Sequence, residues 1–328
     1  MTDMAPHDRF FKSTLGRPDQ LGAVLKAFLP PELAGPIDPD SLVPLPTESV
    51  GESLDSSLMD LAFSARFGSR ETRIHLIVEH KSRPDPWVHL QVAHYLTGLW
   101  IRDRKAGKPP SPLLPVLFYH GARPWTLPER LSEVLKPPAA LLSTTPDFSL
   151  PVIDLSRIDD SAIRSRLSDL RAILAMLSLK YIFDDVSGCL RRLLREIRAR
   201  NASYDIMKPE LDYVASVHGL VRIQDMKRIL DPLVKEVGMA QSIVDTWMEE
   251  WLQQGLQQGL QQGLQQGLQQ GLQQGVQQGV QQGVRQEQDL VARKLLERHL
   301  LSPEEIASLL EMETDRVIEI ARNLGRSS

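Results

Sequence analysis

Residues 57–82 read SLMDLAFSARFGSRETRIHLIVEHKS, two apolar runs rich in strand formers around the polar segment from Phe67 to Thr72. That segment reads as a hairpin loop. Folding the chain about Ser69 and Arg70 sets Asp60 opposite Glu79, because both lie equally far from the midpoint. Directly opposed residues of an antiparallel pair share a face, with Cβ atoms roughly 5 Å apart. Lys81 shares it too, since the strand period is two. Two carboxylates and an ammonium are therefore expected to converge at one edge of a sheet.

Such a trio suits a divalent cation and a phosphodiester. Mg²⁺ takes hard oxygen ligands and keeps several waters, so one or two carboxylates plus phosphate oxygens suffice. The cation neutralises charge developing on the phosphorus and lowers the pKa of a bound water. Lys81 can orient that water, and beside a cation its own pKa should fall, which suits proton transfer. The plainer alternative is a cross-strand ion pair of Glu79 and Lys81 with Asp60 at a strand edge. Against it, Ile74 to Val78 reads as buried, and a carboxylate ending a buried strand calls for a reason.

Three further words bear on the choice: HDRFFKSTL (7–15), IVEHKSRPD (77–85) and LLPVLFYHGARPW (113–125). Together they resemble the Rpn family of recombination-promoting nucleases, also known as putative transposases, within the PD-(D/E)xK superfamily. The resemblance covers the first half of the chain strongly and its helical continuation more weakly. It implies an α/β fold: a mixed central sheet flanked by helices, with metal-dependent DNA endonuclease activity. By position, Asp60, Glu79 and Lys81 match the motif aspartate, glutamate and lysine. Relatives often carry glutamine at the last place. The run ESLDSSLMD (52–60) departs from the family, with Met59 in place of the usual serine and no arginine after Leu54.

Trp87 to Lys105 reads as a helix with Leu90, Ala93, His94, Leu96, Trp100 and Ile101 forming much of an apolar side. Gln91 and Tyr95, four apart, share a face. They resemble the Gln-x-x-x-Tyr pair that several superfamily members place behind the metal site; a polar helix edge is the alternative. Arg102, Arg104 and Lys105 end the helix, where cations suit the dipole and could also meet phosphates. His80 and His94 read as packing or surface residues rather than ligands, since neither has a second histidine at ligand spacing.

Earlier in the chain, helices are expected around Asp8–Leu15 and from Pro18 to Leu29, stopped by Pro30 and Pro31. Leu113 to Tyr119 reads as a strand and Gly121 as a turn. Lys136 to Pro151, rich in proline and serine, is a looser connection. Asp154 follows a short apolar run; it could join the active region or cap the next helix. From Ser161 to Trp251 the pattern is helical throughout. One helix, Cys189 to Arg200, buries Leu190, Leu193, Leu194 and Ile197 and turns Arg191, Arg195 and Arg198 outward. These could contact phosphates, or form a solvated face with Glu196 among the charges.

From Leu252 to Val284 the chain is a perfect (Leu/Val)-Gln-Gln-Gly array. Four residues advance an α-helix by about 400°, so each apolar residue drifts about 40° from the last, and the array as one helix would reach about 50 Å. Each interior glycine costs about 1 kcal/mol against alanine. Packing against a partner copy could offset that cost, which suggests a homo-oligomer; a flexible tether is the alternative. In the tail, Ser302-Pro303-Glu304-Glu305 carries a helix-capping signature, and Thr314 is expected to cap a further helix. From Glu304 on, six acidic residues outnumber three arginines, the reverse of what a major-groove reader needs.

Composition frames these expectations. The 328 residues with 42% hydrophobic content can bury a sizeable core and hold more than one module. The expected division is a nuclease-like domain over 1–150, a helical extension over 151–251, the repeat over 252–284 and a small helical tail over 285–328. Cys189 is the only cysteine, which excludes a disulfide framework. No signal peptide and no membrane-length apolar run are evident, so a cytoplasmic location is expected. A net charge of −4 argues against a generally basic coat, leaving DNA binding to local patches.

Overall fold

Five strands lie side by side in chain order in one mixed sheet: β1 (Ile37–Pro44), β2 (Leu61–Phe67), β3 (Thr72–Lys81), β4 (Leu113–Tyr119) and β5 (Val152–Asp154). The computed structural model describes residues 5–47, 59–69, 72–220, 223–239, 242–298 and 301–325. The divergent run before Met59 and the hairpin tip at Arg70 and Glu71 fall outside the described residues. β1, β2 and β3 pair antiparallel, whereas β3, β4 and β5 run parallel. The β2–β3 register joins Leu61 to Val78 and Phe67 to Thr72, as the mirror symmetry of the sequence predicts. Gly68, at φ +72°, enters the turn in the left-handed region. β1 is absent from the sequence reading because Pro39 and Pro44 interrupt its pattern. It is an edge strand, paired only with β2 and shifted in register between Asp38 and Val43, a position where proline is tolerated.

Three helices precede or flank β1: α1 (Pro6–Ser13), α2 (Pro18–Phe28) and α3 (Pro31–Ala34). Pro31 therefore opens a short helix, as proline can at a first turn, rather than only ending the one before it. The parallel crossover from β3 to β4 is made by α4 (Val88–Lys105). Val88, Val92, Tyr95, Leu96 and Leu99 of α4 join Ala62, Ile77, Leu117 and Tyr119 of the sheet in one core cluster. This corrects the apolar side expected for that helix. Leu90, Trp100 and Ile101 are exposed, and only Leu96 of that set is buried. The helix offers two apolar stripes, and the sheet takes the one that repeats unbroken at 88, 92, 95, 96 and 99.

On the opposite face, Phe11 of α1 stacks on His80 at 4.4 Å between ring centroids and tilts against Phe118 at 5.0 Å. α5 (Leu131–Leu135) lies in the long connection before β5. Beyond β5 come α6 (Asp160–Arg166), α7 (Leu170–Tyr181), α8 (Val186–Ala199), α9 (Lys208–His218) and α10 (Ile223–Val237). α7 is buried along Ala172–Leu179 and is capped by Asp169, whose carboxylate accepts the Arg171 N–H. Residues 1–250 form a single compact unit, so the boundary expected at 150/151 divides nothing: β5 lies past it and completes the sheet.

The second unit, residues 251–328, contains most of α11 (Ser242–Glu297), with α12 (Pro303–Leu309) and α13 (Thr314–Gly325). The array is helical throughout, and all nine of its leucines and valines are exposed, Leu256 at 76%. No break falls at 284/285. The tail builds a small core from Ala292, Ile306, Ala307 and Val317. Ser302 and Glu305 form the expected capping box. Thr314 is the first residue of its helix rather than the cap, since Glu313 O accepts from Arg316 and Val317 N–H.

Candidate active site at the end of the β2–β3 hairpin

β3 stays buried to its end because β2 and β4 flank it and helices cover both faces. Glu79 is consequently only 2% exposed. Its Oε1 lies 3.2 Å from the Lys81 ammonium, which also meets Asp85 Oδ2 at 3.1 Å. Lys81 donates to Gln91 Oε1 at 2.8 Å, and Gln91 Nε2 donates to the Tyr95 hydroxyl at 2.6 Å. The Gln91–Tyr95 pair thus stands on the buried side of α4, directly behind Lys81, and not on a polar edge.

Asp60 sits one step outside the ladder. Pairing stops at Leu61, and Asp60 occupies the bend before it. There its Oδ2 accepts the His80 backbone N–H at 3.0 Å, closing the ladder with a side chain instead of a backbone carbonyl. Its Oδ1 lies 3.0 Å from the ammonium of Lys12 in α1. Lys12 has no role in the sequence reading beyond belonging to HDRFFKSTL. Its signal is the helical pattern: burying Phe10 and Phe11 fixes α1 and so fixes where the next residue can reach.

Electrostatics at the two carboxylates differ from those of a surface cluster. Burial, reinforced by the Asp60 charge, pushes the Glu79 carboxyl up to about 8 against the pull of Lys81 and Lys12. Burial alone would lower the Lys81 ammonium, yet Glu79 and Asp85 outweigh it and hold its pKa above the ordinary value. The fall expected for this lysine beside a cation is therefore reversed where only its carboxylate partners act. Glu79 Oε2 is buried without a hydrogen-bond partner. A buried carboxylate oxygen without a donor, within the field of a second carboxylate, fits an oxygen-seeking divalent cation, which would satisfy it and favour its ionised form. Among the described residues no group of three or more His, Cys, Asp or Glu is placed to hold a metal.

Asp154 does not join them. Its Oδ1 accepts from Ser156 N and Oγ at 3.0 and 2.7 Å, and its Oδ2 accepts from Trp125 N at 2.8 Å and pairs with Arg157 at 3.1 Å. It caps the turn after β5, two strands from Lys81, and lines a cleft of 590 Å³ with Arg157 and Arg166. The arginines of α8 are also engaged within the protein. Arg191 and Arg195 pair with Glu236 at 2.9 and 3.4 Å, and Arg198 donates to Gly238 O. Glu196, expected on a solvated face, is instead buried between Arg164 and Arg200. At the end of α4, Arg102 donates to Pro46 O at 2.7 Å, while Arg104 and Lys105 are exposed.

A histidine chain backs the strand end. His80 donates from Nδ1 to Asp8 Oδ1 at 3.0 Å, and its Nε2 lies 2.9 Å from His120 Nδ1. Which of the two rings donates in this contact follows from the tautomer, and the far nitrogen of His120, Nε2, is buried without a partner. Burial and the neighbouring His80 and His7 push His120 well below the usual histidine value. The His120 N–H donates to Lys81 O at 3.1 Å, tying β4 to the residue that carries the ammonium. His80 is thus buried with a second histidine, His120, beside it, which the spacing along the chain does not show, and His94 is exposed.

Comparison with known proteins adds an independent line. Residues 5–208 match the family described as "Putative transposase, YhgA-like". The chain is 31% identical over 200 residues to "Recombination-promoting nuclease RpnD" of Escherichia coli O157:H7, covering 59% of this chain and 74% of that protein. It is 28% identical over 197 residues to "Inactive recombination-promoting nuclease-like protein RpnE" of Escherichia coli K12, covering 58% of this chain and 64% of the relative. It is 27% identical over 160 residues to "Recombination-promoting nuclease RpnC" of the same strain, covering 48% and 53%. The chain thus spans less than two thirds of the last two relatives. No solved structure matches. The family match covers well over half of the chain and includes Lys12, Asp60, Glu79, Lys81, Gln91 and Tyr95, and the chain belongs to the YhgA-like transposase family, that of the Rpn recombination-promoting nucleases.

Proposed function

We propose that this protein is a divalent-metal-dependent DNA endonuclease of the PD-(D/E)xK type, which promotes recombination or acts on mobile or foreign DNA. The observation that carries the proposal is Glu79: a carboxylate at a buried strand end, with one oxygen on Lys81, the other without a partner, and Asp60 close enough to disfavour its ionisation. Asp60 and Glu79 would hold Mg²⁺ or a similar cation. Bound there, the cation would neutralise charge on the scissile phosphate and make a water more acidic. Lys81, fixed by Gln91, would orient the attacking water by turning to it the N–H that now meets Asp85, and Tyr95 would hold Gln91 in turn. Glu79 must be ionised to act, and a cation would add to the pull of Lys81 and Lys12, which burial and the Asp60 charge outweigh. Exposed Arg104 and Lys105 are the better candidates for contacts with the DNA backbone, since the α8 arginines already have carboxylate or carbonyl partners.

A second reading is a catalytically silent assembly protein. It is favoured by the nine exposed apolar residues of the array, which a second copy could cover, and by the name of one relative as inactive. Self-association through α11 is compatible with either reading. Among the described residues no helix is long and apolar enough to cross a membrane. Incubating the purified full chain with supercoiled plasmid in Mg²⁺ and in EDTA separates the two. Nicking that requires Mg²⁺ supports the endonuclease; intact plasmid in both supports the silent protein.

A further inference from the structure

Each carboxylate of the site carries its own lysine. Lys81 lies on Glu79 and Lys12 lies on Asp60, at 3.2 and 3.0 Å. The two lysines reach the site from opposite layers. Lys81 belongs to the strand and leans on α4, whereas Lys12 comes from α1, which packs on the other face of the sheet through Phe11 and His80. Lys12 is pinned at its base by the Asp8–His80 hydrogen bond one turn earlier in α1, yet its side chain remains 24% exposed.

This pairing has a consequence for the order in which ligands bind, and it rests on the endonuclease reading above. With Asp60, Glu79 and Asp85 ionised, three negative charges face two lysines, so most of the carboxylate charge is already offset before a cation arrives. A divalent cation sharing Asp60 would have the Lys12 ammonium as its neighbour, and like charges at that range repel strongly where solvent is partly excluded. A phosphodiester changes the balance, because it brings an anion with several acceptor oxygens to the position that Lys12 can reach. We propose that Lys12 is a positioning residue that holds Asp60 until DNA binds and then passes to a backbone phosphate, so that metal and DNA bind cooperatively. Lys81 is held by Glu79, Asp85 and Gln91 together.

Linkage makes the coupling reciprocal, so it can be measured from the metal side without any cleavage. The experiment is calorimetric titration of Mn²⁺ into the full chain, alone and with a phosphorothioate duplex that resists cleavage, for the wild type, Lys12→Met, Lys12→Arg and Glu79→Gln. The wild type should bind Mn²⁺ about tenfold more tightly with the duplex than without. Lys12→Met should bind it at least about fivefold more tightly than the wild type without DNA, and the duplex should then add little. Lys12→Arg, whose guanidinium grips a carboxylate with two N–H groups, should bind Mn²⁺ more weakly than the wild type without DNA, which keeps the test open if the methionine variant fails to fold. Mn²⁺ binding and coupling in Lys12→Met equal to the wild type, or tighter binding in Lys12→Arg, would overturn the role of Lys12. Mn²⁺ binding that Glu79→Gln leaves intact would instead overturn the metal site itself, and the role of Lys12 with it.

Discussion

Two buried glutamates in this molecule are alike in isolation and differ in company. Glu79 at the end of β3 and Glu210 in the first turn of α9 are each 2% exposed, each pushed up to about 8 by burial, and each left with one oxygen lacking a hydrogen-bond partner. Around Glu79 stand Asp60, Lys81 and Lys12, brought from three elements. Around Glu210 the charges are Arg171, which lowers its pKa, and Asp212, which raises it, and its own backbone supplies its hydrogen bond. Burial and a raised pKa therefore do not by themselves make a site. Convergence of opposite and like charges from distant parts of the chain does, because each such group costs stability that packing alone would not demand.

The sharpest way to break this comparison is at the strand end. Glu79→Gln, Asp60→Asn and Lys81→Met should each lower Mg²⁺-dependent nicking by at least about 10³-fold, with circular dichroism unchanged. The double and triple variants should lose little more, because the three groups serve one unit. Additive losses would mean that they act separately. A smaller effect is expected one step back. Gln91→Ala removes the acceptor that orients Lys81 and the donor to Tyr95, and should cost about tenfold in turnover with little change in DNA affinity.

Glu210→Gln should do the opposite of Glu79→Gln: leave nicking intact and raise stability. The folded carboxyl titrates near 8 against an ordinary 4.5, so between those values the native state holds a proton that the unfolded state has lost. Stability conferred by the neutral side chain is full below about 4.5 and declines as pH rises through the window. Glutamine removes that decline, so the variant should gain about 4 kcal/mol at pH 8 and nothing at pH 4, as read by urea unfolding at both pH values. Equal gains at the two would show that charge burial is not the cause. The smallest effect on the sheet should come from deleting Leu252 to Val284. Nicking by the first unit should persist, while sedimentation should show loss of self-association, since the exposed apolar residues of the helix are the surface that a second copy would cover. Equal masses relative to chain length would make the array a spacer.

Much of the strand end is legible in the sequence because it depends on a period of two. The mirror spacing about Ser69 and Arg70 gives the register, and the register gives the shared face of Glu79 and Lys81. What is not legible depends on packing between elements. α4 has two apolar stripes, and only contact with Ile77 and Leu117 decides that Val88, Val92 and Leu99 face inward while Trp100 and Ile101 do not. Lys12 reaches Asp60 across 48 residues, a meeting that no local pattern encodes. Asp154 and the α8 arginines err in the other direction. Their residue types suit the chemistry, but nearby backbone N–H groups and Glu236 take them first. β1 is hidden by its prolines, which an edge strand tolerates and a sequence pattern does not.

The most direct test is plasmid nicking in Mg²⁺ by the wild type, Glu79→Gln and Glu210→Gln side by side. If the strand end is the metal site, the wild type and Glu210→Gln nick alike, Glu79→Gln leaves the plasmid supercoiled, and EDTA silences all three. Nicking by Glu79→Gln at the wild-type rate, or loss of nicking in Glu210→Gln with its fold intact, would contradict it.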